Sequence, residues 1–238
     1  MSSMSDVISD LPLTKAQHML RPSEYTAALI QTVLGMGAFV ENARVLEIGF
    51  GSGVVLAALA RMGARALYGV DCEAEAIRTG HRMMKDIGAE AELFLGELWT
   101  PVEGRRFDLI IANLPHFPTD ALQFSDRLPS WSCGGHDGRL LLDPFLDGLA
   151  AHLAPGGRAV ITHNAFVDLA ETRRRLTAFG LSATILTSVL IPLPREKLAI
   201  MSPDILARED GQTIYRLGVY SFVRVHMLSI GAADSGIE

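Results

Sequence analysis

The chain is 238 residues long, 49% hydrophobic and 20% charged, with a net charge of −6. That length and apolar content suit one α/β domain, large enough to bury roughly 70–75% of its unfolded surface. Basic residues are scattered apart from Arg173-Arg174-Arg175, which sits in a helical pattern as a solvated face, so no nucleic-acid partner is expected. The two cysteines, Cys72 and Cys133, have no metal-ligand spacing, and neither a metal site nor a disulfide framework is expected. No apolar run approaches the ~20 residues that span a bilayer. Free thiols and no leader pattern place the expected location in the cytoplasm, with no membrane partner.

In chain order, Met1 to Asp10 is polar, and a brief helical pattern from Thr14 to Leu20 is interrupted by Arg21-Pro22. Ser23 is a candidate N-cap, with Glu24 in the first turn, for a helix through Ala27, Ile30 and Leu34 that Gly35 and Gly37 close. Residues 1–40 thus read as an N-terminal helical lid segment, and 41–238 as the main domain. Ala43 to Ile48 is a short apolar run suited to a buried parallel strand. Gly49, Gly51 and Gly53 break it, and a helix pattern runs from Val54 to Arg61. Ala66 to Asp71 reads as a second strand, and Glu73 to about Ile87 as the helix after it, capped by Gly88. Ala91 to Leu95 and Phe107 to Ala112 are the third and fourth strands, the last apolar enough to be buried on both faces.

Leu114 to Gly138 is long, irregular and rich in Pro, Ser and Gly, the composition of a functional or mobile loop. A helix over Leu140 to Leu153, a turn at Pro155-Gly156-Gly157, a fifth strand over Ala159 to Thr162 and a helix over Phe166 to Phe179 follow. Ser182 to Leu190 and Tyr215 to Leu228 are β-rich, with a helix near Glu196 to Arg208 between them. This order predicts a Rossmann-like α/β fold. Its sheet would have seven mostly parallel strands, an antiparallel hairpin at one edge and helices on both faces.

A strand, a glycine turn and a helix N-terminus make a cofactor cradle at the carboxyl edge of a parallel sheet. The dinucleotide fingerprint G-x-G-x-x-G would need glycine at position 54, where the chain has Val54. Asp71 ends the second strand, about twenty residues beyond Gly51, where a carboxylate binds ribose hydroxyls or caps the next helix. Trp99 either packs on a base or fills core.

Glu47-x-Gly49-x-Gly51-x-Gly53 resembles motif I of the class I S-adenosylmethionine-dependent methyltransferases. Gly96-Glu97-Leu98-Trp99, Asn113-Leu114-Pro115-His116, Arg21-Pro22-Ser23-Glu24 and Gly134-Gly135-His136-Asp137-Gly138 make the resemblance more specific. Over roughly residues 20–190 the chain is similar to the release-factor glutamine methyltransferases and their N-methylating relatives. The resemblance implies S-adenosyl-L-methionine as cofactor, held by Glu47, Gly49, Phe50, Gly51 and Gly53 at the turn. Asp71 and Cys72 would follow at the ribose, and Glu97 and Leu98 beside the adenine. Asn113 would stand near the sulfonium, and Tyr25 would cap the methionine end. It also implies direct methyl displacement, in which the protein aligns and desolvates the reactants. Asn113 would orient the acceptor, and His116 is the candidate base, with a surface loop histidine as the bland alternative. His163 and Asn164, after the fifth strand, are either pocket lining or capping residues.

Two departures bear on the acceptor. The family's N-P-P-Y stands here as Asn113-Leu114-Pro115-His116, and the stretch before motif I is too short for the family's N-terminal helical domain. Both point to a small-molecule acceptor enclosed by the N-terminal helix and the 114–138 loop. Alternatives are cyclisation or transfer of the cofactor's aminocarboxypropyl chain, or a catalytically silent cofactor-binding partner. A monomer and a homodimer are equally compatible with the sequence.

Overall fold

The computed structural model describes residues 21–119 and 132–233. Readings on residues 1–20, with the helical pattern before Arg21, and on residues 120–131 of the long loop lie outside them. Among the described residues two helices come first, α1 (Glu24–Leu34) and α2 (Gly37–Val40). Strands and helices then alternate through β1 (Arg44–Ile48), α3 (Val54–Arg61), β2 (Ala66–Asp71), α4 (Ala74–Asp86), β3 (Glu92–Leu95) and β4 (Phe107–Ala112). The rest comprises α5 (Leu142–His152), β5 (Leu153–Asn164), α6 (Leu169–Thr177), β6 (Leu181–Pro192), α7 (Arg195–Ile200), α8 (Pro203–Glu209), β7 (Ile214–Leu217) and β8 (Tyr220–Ala232).

The strands join one sheet in the order β3-β2-β1-β4-β5-β8-β6, with β7 paired to β8. Apolar runs decide which strands are central. In β1, Val45, Leu46, Glu47 and Ile48 are all buried, and the strand pairs in parallel with both β2 and β4. A strand covered on both faces tolerates no polar alternation, so Glu47 stands out in this run. Chain order reverses between β1 and β4, and a crevice opens at the carboxyl ends there.

The expected mixed α/β sheet is present, with three local corrections. First, the sheet has eight strands among the described residues, and the last one is internal: β8 lies antiparallel between β5 and β6. Val225, Met227, Leu228 and Ile230 of β8 are fully buried, an apolar load that an edge position would leave wet. Strand β6, largely exposed, takes the edge instead. Second, the run over 215–228 is two strands, because Gly218 at φ 61° allows a tight turn that sets Leu217 opposite Tyr220. Third, the helix expected over 196–208 is two helices. Pro203 lacks an N–H and disfavours helical backbone at Ser202, so the first helix stops at Ile200 and a second begins at Pro203.

The N-terminal helix belongs to the same core. Leu29 and Val33 of α1 are fully buried, and the helix packs against α3, β5, β6 and β8. Its start is fixed as expected at Ser23, whose backbone N–H donates to Thr26 Oγ1 at 3.2 Å.

Candidate active site

A cavity of about 450 Å3 opens at the carboxyl edge of β1, β2 and β4. One wall is the turn from Glu47 to Ser52, a second is Asp71, Cys72 and Glu73, and a third is Gly96, Glu97 and Leu98. Asn113, Leu114, Pro115 and Cys133 form the side opposite the turn, while Arg21, Pro22, Ser23 and Thr26 border the cavity from α1 and the residues before it. The fold therefore gathers at one sheet edge segments that are far apart in sequence.

The glycine turn earns its shape at three positions. Gly49 and Gly51 have φ of 70° and 52°, a region where a β-carbon is strained. A β-carbon on Gly51 would meet nothing within 4 Å, so the backbone there faces open space. Gly53, at φ 77°, shares that strain and has a further task. A β-carbon on it would lie 3.3 Å from Gly80 Cα, so this glycine lets α3 and α4 approach. Asp71 holds the turn from below: Oδ2 accepts from Gly51 N–H at 2.8 Å, and Oδ1 accepts from Glu73 N–H at 2.9 Å. Glu73, not Asp71, is the N-cap of α4, so the capping alternative does not hold for Asp71; its carboxylate braces the turn and the residue before the helix, and it lines the cavity.

Glu47 is only 2% exposed, and its Oε2 has no hydrogen-bond partner among the described residues. Burial pushes its carboxyl well above the ordinary range. A backbone hydrogen bond from Leu56 opposes that shift, and the nearby Asp71 charge adds to it. An orphaned acid on a cavity wall suits a ligand carrying positive charge. Together with the open backbone at Gly51 and the carboxylate at Asp71, it fits an aminoacyl sulfonium nucleoside.

Several residues expected at the site contribute differently. Phe50 borders the cavity through its turn, but its ring is slotted into the core: β-carbons on Gly69 or Gly80 would each come within 2.7 Å of it. Tyr25 does not line the cavity; its hydroxyl donates to Asn164 Oδ1 at 3.1 Å, and burial raises its pKa. Cys72 and Glu97 are exposed on the rim, and the Cys72 thiol is pushed up by partial burial and by the Asp71, Glu73 and Glu97 charges. Leu98 lines the cavity with φ of 43°, a conformation uncommon for a branched residue. Trp99 is core: its indole N–H reaches the carbonyls of Pro144 and Phe145 at 3.2 Å, and it stacks on His152.

On the opposite side, Asn113 Oδ1 accepts from Thr162 Oγ1 at 2.7 Å, leaving its amide nitrogen as the group available to a ligand. His116 corrects the expectation of a base. It is buried, absent from the cavity wall and hydrogen-bonded through Nδ1 to the Leu114 carbonyl; burial holds its pKa down at about 4. His163 and Asn164 neither line the cavity nor cap a helix, since the N-cap of α6 is Asp168. His163 Nε2 pairs with Thr172 Oγ1 at 3.0 Å, and burial, with His116 and Arg139 nearby, pushes its pKa down to about 3.

Sequence reasoning missed Arg139, Thr26 and Cys133. The buried Arg139 guanidinium donates to the Asp168 carbonyl and to Thr172 Oγ1 and pairs with Asp143 at 2.7 Å, tying the Gly134–Gly138 element to α5 and α6. The signal was its place directly after that element. Thr26 lies one helical turn from Ser23, so a helical projection would have put both on the cavity face.

Residues 45–128 match the methyltransferase domain family, and the sheet order and the crevice at the β1–β4 reversal agree with that match. The chain is similar to a putative protein N5-glutamine methyltransferase of Methanocaldococcus jannaschii, 29% identical over 196 residues, which cover 82% of this chain and 96% of that protein. It is also similar to the release factor glutamine methyltransferase of Geobacter sulfurreducens, 34% identical over 146 residues. Those residues are 58% of this chain, and the chain spans about half the length (51%) of that relative. Among solved structures, the E. cuniculi Mtq2–Trm112 complex, described as responsible for methylation of the eRF1 termination factor, shares the fold. Its TM-score is 0.60 at 17% identity, covering 90% of this chain and 98% of that one.

These names correct the expected small-molecule acceptor: the relatives are named for a protein glutamine. The short stretch before β1 is no obstacle, since a relative spanned over 96% of its length carries that name. Both relatives are named methyltransferases. Among the described residues, no helix is long and apolar enough to cross a membrane.

Proposed function

We propose that this protein methylates the side-chain amide nitrogen of a glutamine in a protein acceptor, with S-adenosylmethionine as the methyl donor. The observation that carries the reading is the similarity to the M. jannaschii relative along nearly its whole length. The cavity supports it. The turn at Gly49–Gly51, the Asp71 carboxylate and the Glu47 acid would hold the donor, with Cys72, Glu97 and Leu98 at its rim. When bound, S-adenosylmethionine supplies an electrophilic methyl, so the side chains' share is alignment and exclusion of water. Asn113 and the Leu114 carbonyl would receive the planar amide, the one offering N–H and the other an acceptor oxygen. The N-terminus of α1, with Pro22, Ser23 and Thr26 on the cavity border, would act as the lid.

The test is incubation of the purified protein with tritiated S-adenosylmethionine and a purified translation release factor, followed by peptide mass spectrometry. Label on a glutamine side chain, with S-adenosylhomocysteine formed only when the acceptor is present, supports the reading. Failure to label any glutamine, with the cofactor demonstrably bound, overturns it.

A further inference from the structure

Behind the transfer edge of the cavity lies a group that the reaction above does not use. His116 is 6% exposed, and its Nδ1 is within hydrogen-bonding distance of the Leu114 carbonyl oxygen. A carbonyl only accepts, so Nδ1 carries the hydrogen, and Nε2 holds the lone pair. That lone pair is buried without a partner among the described residues. The side chain does not line the cavity, and its one polar contact among the described residues is with a residue that does.

The backbone around His116 has no slack. A β-carbon on Gly134 would lie 2.6 Å from His116 Cα, and one on Gly138 would lie 2.6 Å from the His116 carbonyl. Gly134 N–H also donates to the Phe117 carbonyl at 2.8 Å. The Tyr25 ring stands edge-on to the imidazole, 6.0 Å between centroids. The neighbouring residue is held in the same manner, since Thr162 Oγ1 donates to Asn113 Oδ1 at 2.7 Å. Two consecutive residues on the cavity wall are thus each fixed by a hydrogen bond from behind.

From this arrangement we infer that His116 is a positioning residue: its neutral Nδ1–H fixes the Leu114 carbonyl, and so the acceptor amide, without exchanging a proton during transfer. The inference rests on the acceptor reading above, in which the amide meets the Asn113–Leu114 edge. The chain has no proline at 114 to stiffen that carbonyl, and the imidazole supplies the restraint from two residues away. The titratable groups facing the ring are Tyr25 from α1, Lys197 from α7 and His163 from β5. The Lys197 charge adds to burial in keeping the ring neutral.

Three measurements on the full chain test this. Asparagine places an amide N–H near the position of Nδ1, whereas phenylalanine offers no donor. His116→Asn is expected to keep kcat on release factor within about threefold of the parent, and His116→Phe to lose about 10–100-fold in kcat with unchanged affinity for S-adenosylhomocysteine. Nitrogen chemical shifts of histidine-labelled protein are expected to show the Nδ1–H tautomer and no His116 titration between about pH 5.5 and 8. Wild-type kcat in His116→Phe, a titration near the free imidazole value, or the Nε2–H tautomer would overturn the inference. Should the wild-type protein leave release factor unmethylated, the acceptor reading falls by that result alone, and the chemical shifts still decide the donor.

Discussion

Asp71 Oδ2 lies 2.8 Å from Gly51 N, so the carboxylate that ends one strand fixes the turn that follows its neighbour. Its other oxygen accepts from Glu73 N–H. Asp71→Ala removes both acceptors and is expected to cost about 1–3 kcal/mol of stability by leaving backbone donors unpaired. It should also weaken S-adenosylhomocysteine binding. Urea denaturation and calorimetry check the two effects separately, and unchanged binding would remove Asp71 from the cofactor site.

Glu47 carries the opposite sign. Its folded-state pKa is raised by burial, so the native protein holds a proton that the unfolded chain releases near the ordinary carboxyl value. Stability therefore falls as pH rises above about 4.3 and levels off once the folded carboxyl has ionised. Glu47→Gln keeps the shape and an acceptor for Leu56 without a charge. It is expected to raise the melting temperature of the ligand-free protein at neutral pH while weakening binding of S-adenosylmethionine. A lower melting temperature, followed by thermal scans across pH, would contradict this account.

The two buried histidines act at the acid side. His116 and His163 have folded pKa values held at about 4 and about 3 by burial, so the unfolded chain takes up protons first as pH falls through the ordinary imidazole value. Their contribution is complete above about pH 6.5 and is lost progressively below it, by about 3–5 kcal/mol for each ring at full extent. Denaturation midpoints measured from pH 7 to 5 should fall, and less steeply in His163→Phe.

Much of this architecture was legible in the sequence, for a physical reason. Strands β2 and β4 and helix α3 are apolar runs bounded by Gly, Asp or Asn, and their limits coincide with those read from the sequence. The position of β8 was not legible, because order within a sheet depends on which strands bury both faces in three dimensions. The cavity segments were found from their place after each strand, whereas side-chain direction was not. Tyr25, Phe50 and His116 all sit in the right segments, but their rings point into the core, where aromatic area is buried.

The Phe50 slot makes that distinction measurable. Gly69→Ala would put a β-carbon 2.7 Å from the ring and 2.8 Å from Leu93, and is expected to cost about 1–3 kcal/mol through overpacking. Pairing it with Phe50→Leu should recover part of that loss. Additive losses in a double-mutant cycle would show that the two do not share the space.

At the acceptor edge, Thr162→Val deletes the hydroxyl that orients Asn113. A fall in kcat of about 5–30-fold is expected, with little change in cofactor affinity, since the lost bond affects alignment rather than the nucleoside. The kinetics on release factor decide it.

Because β8 separates β5 from β6, the sheet cannot close in the order in which the ribosome makes it. β5 presents a bare edge, and β6 has no neighbour, until residues 220–232 have emerged. Nascent chains stalled before that point should therefore be captured by chaperones or cleaved by proteases, and emergence of β8 should abolish that sensitivity in one step.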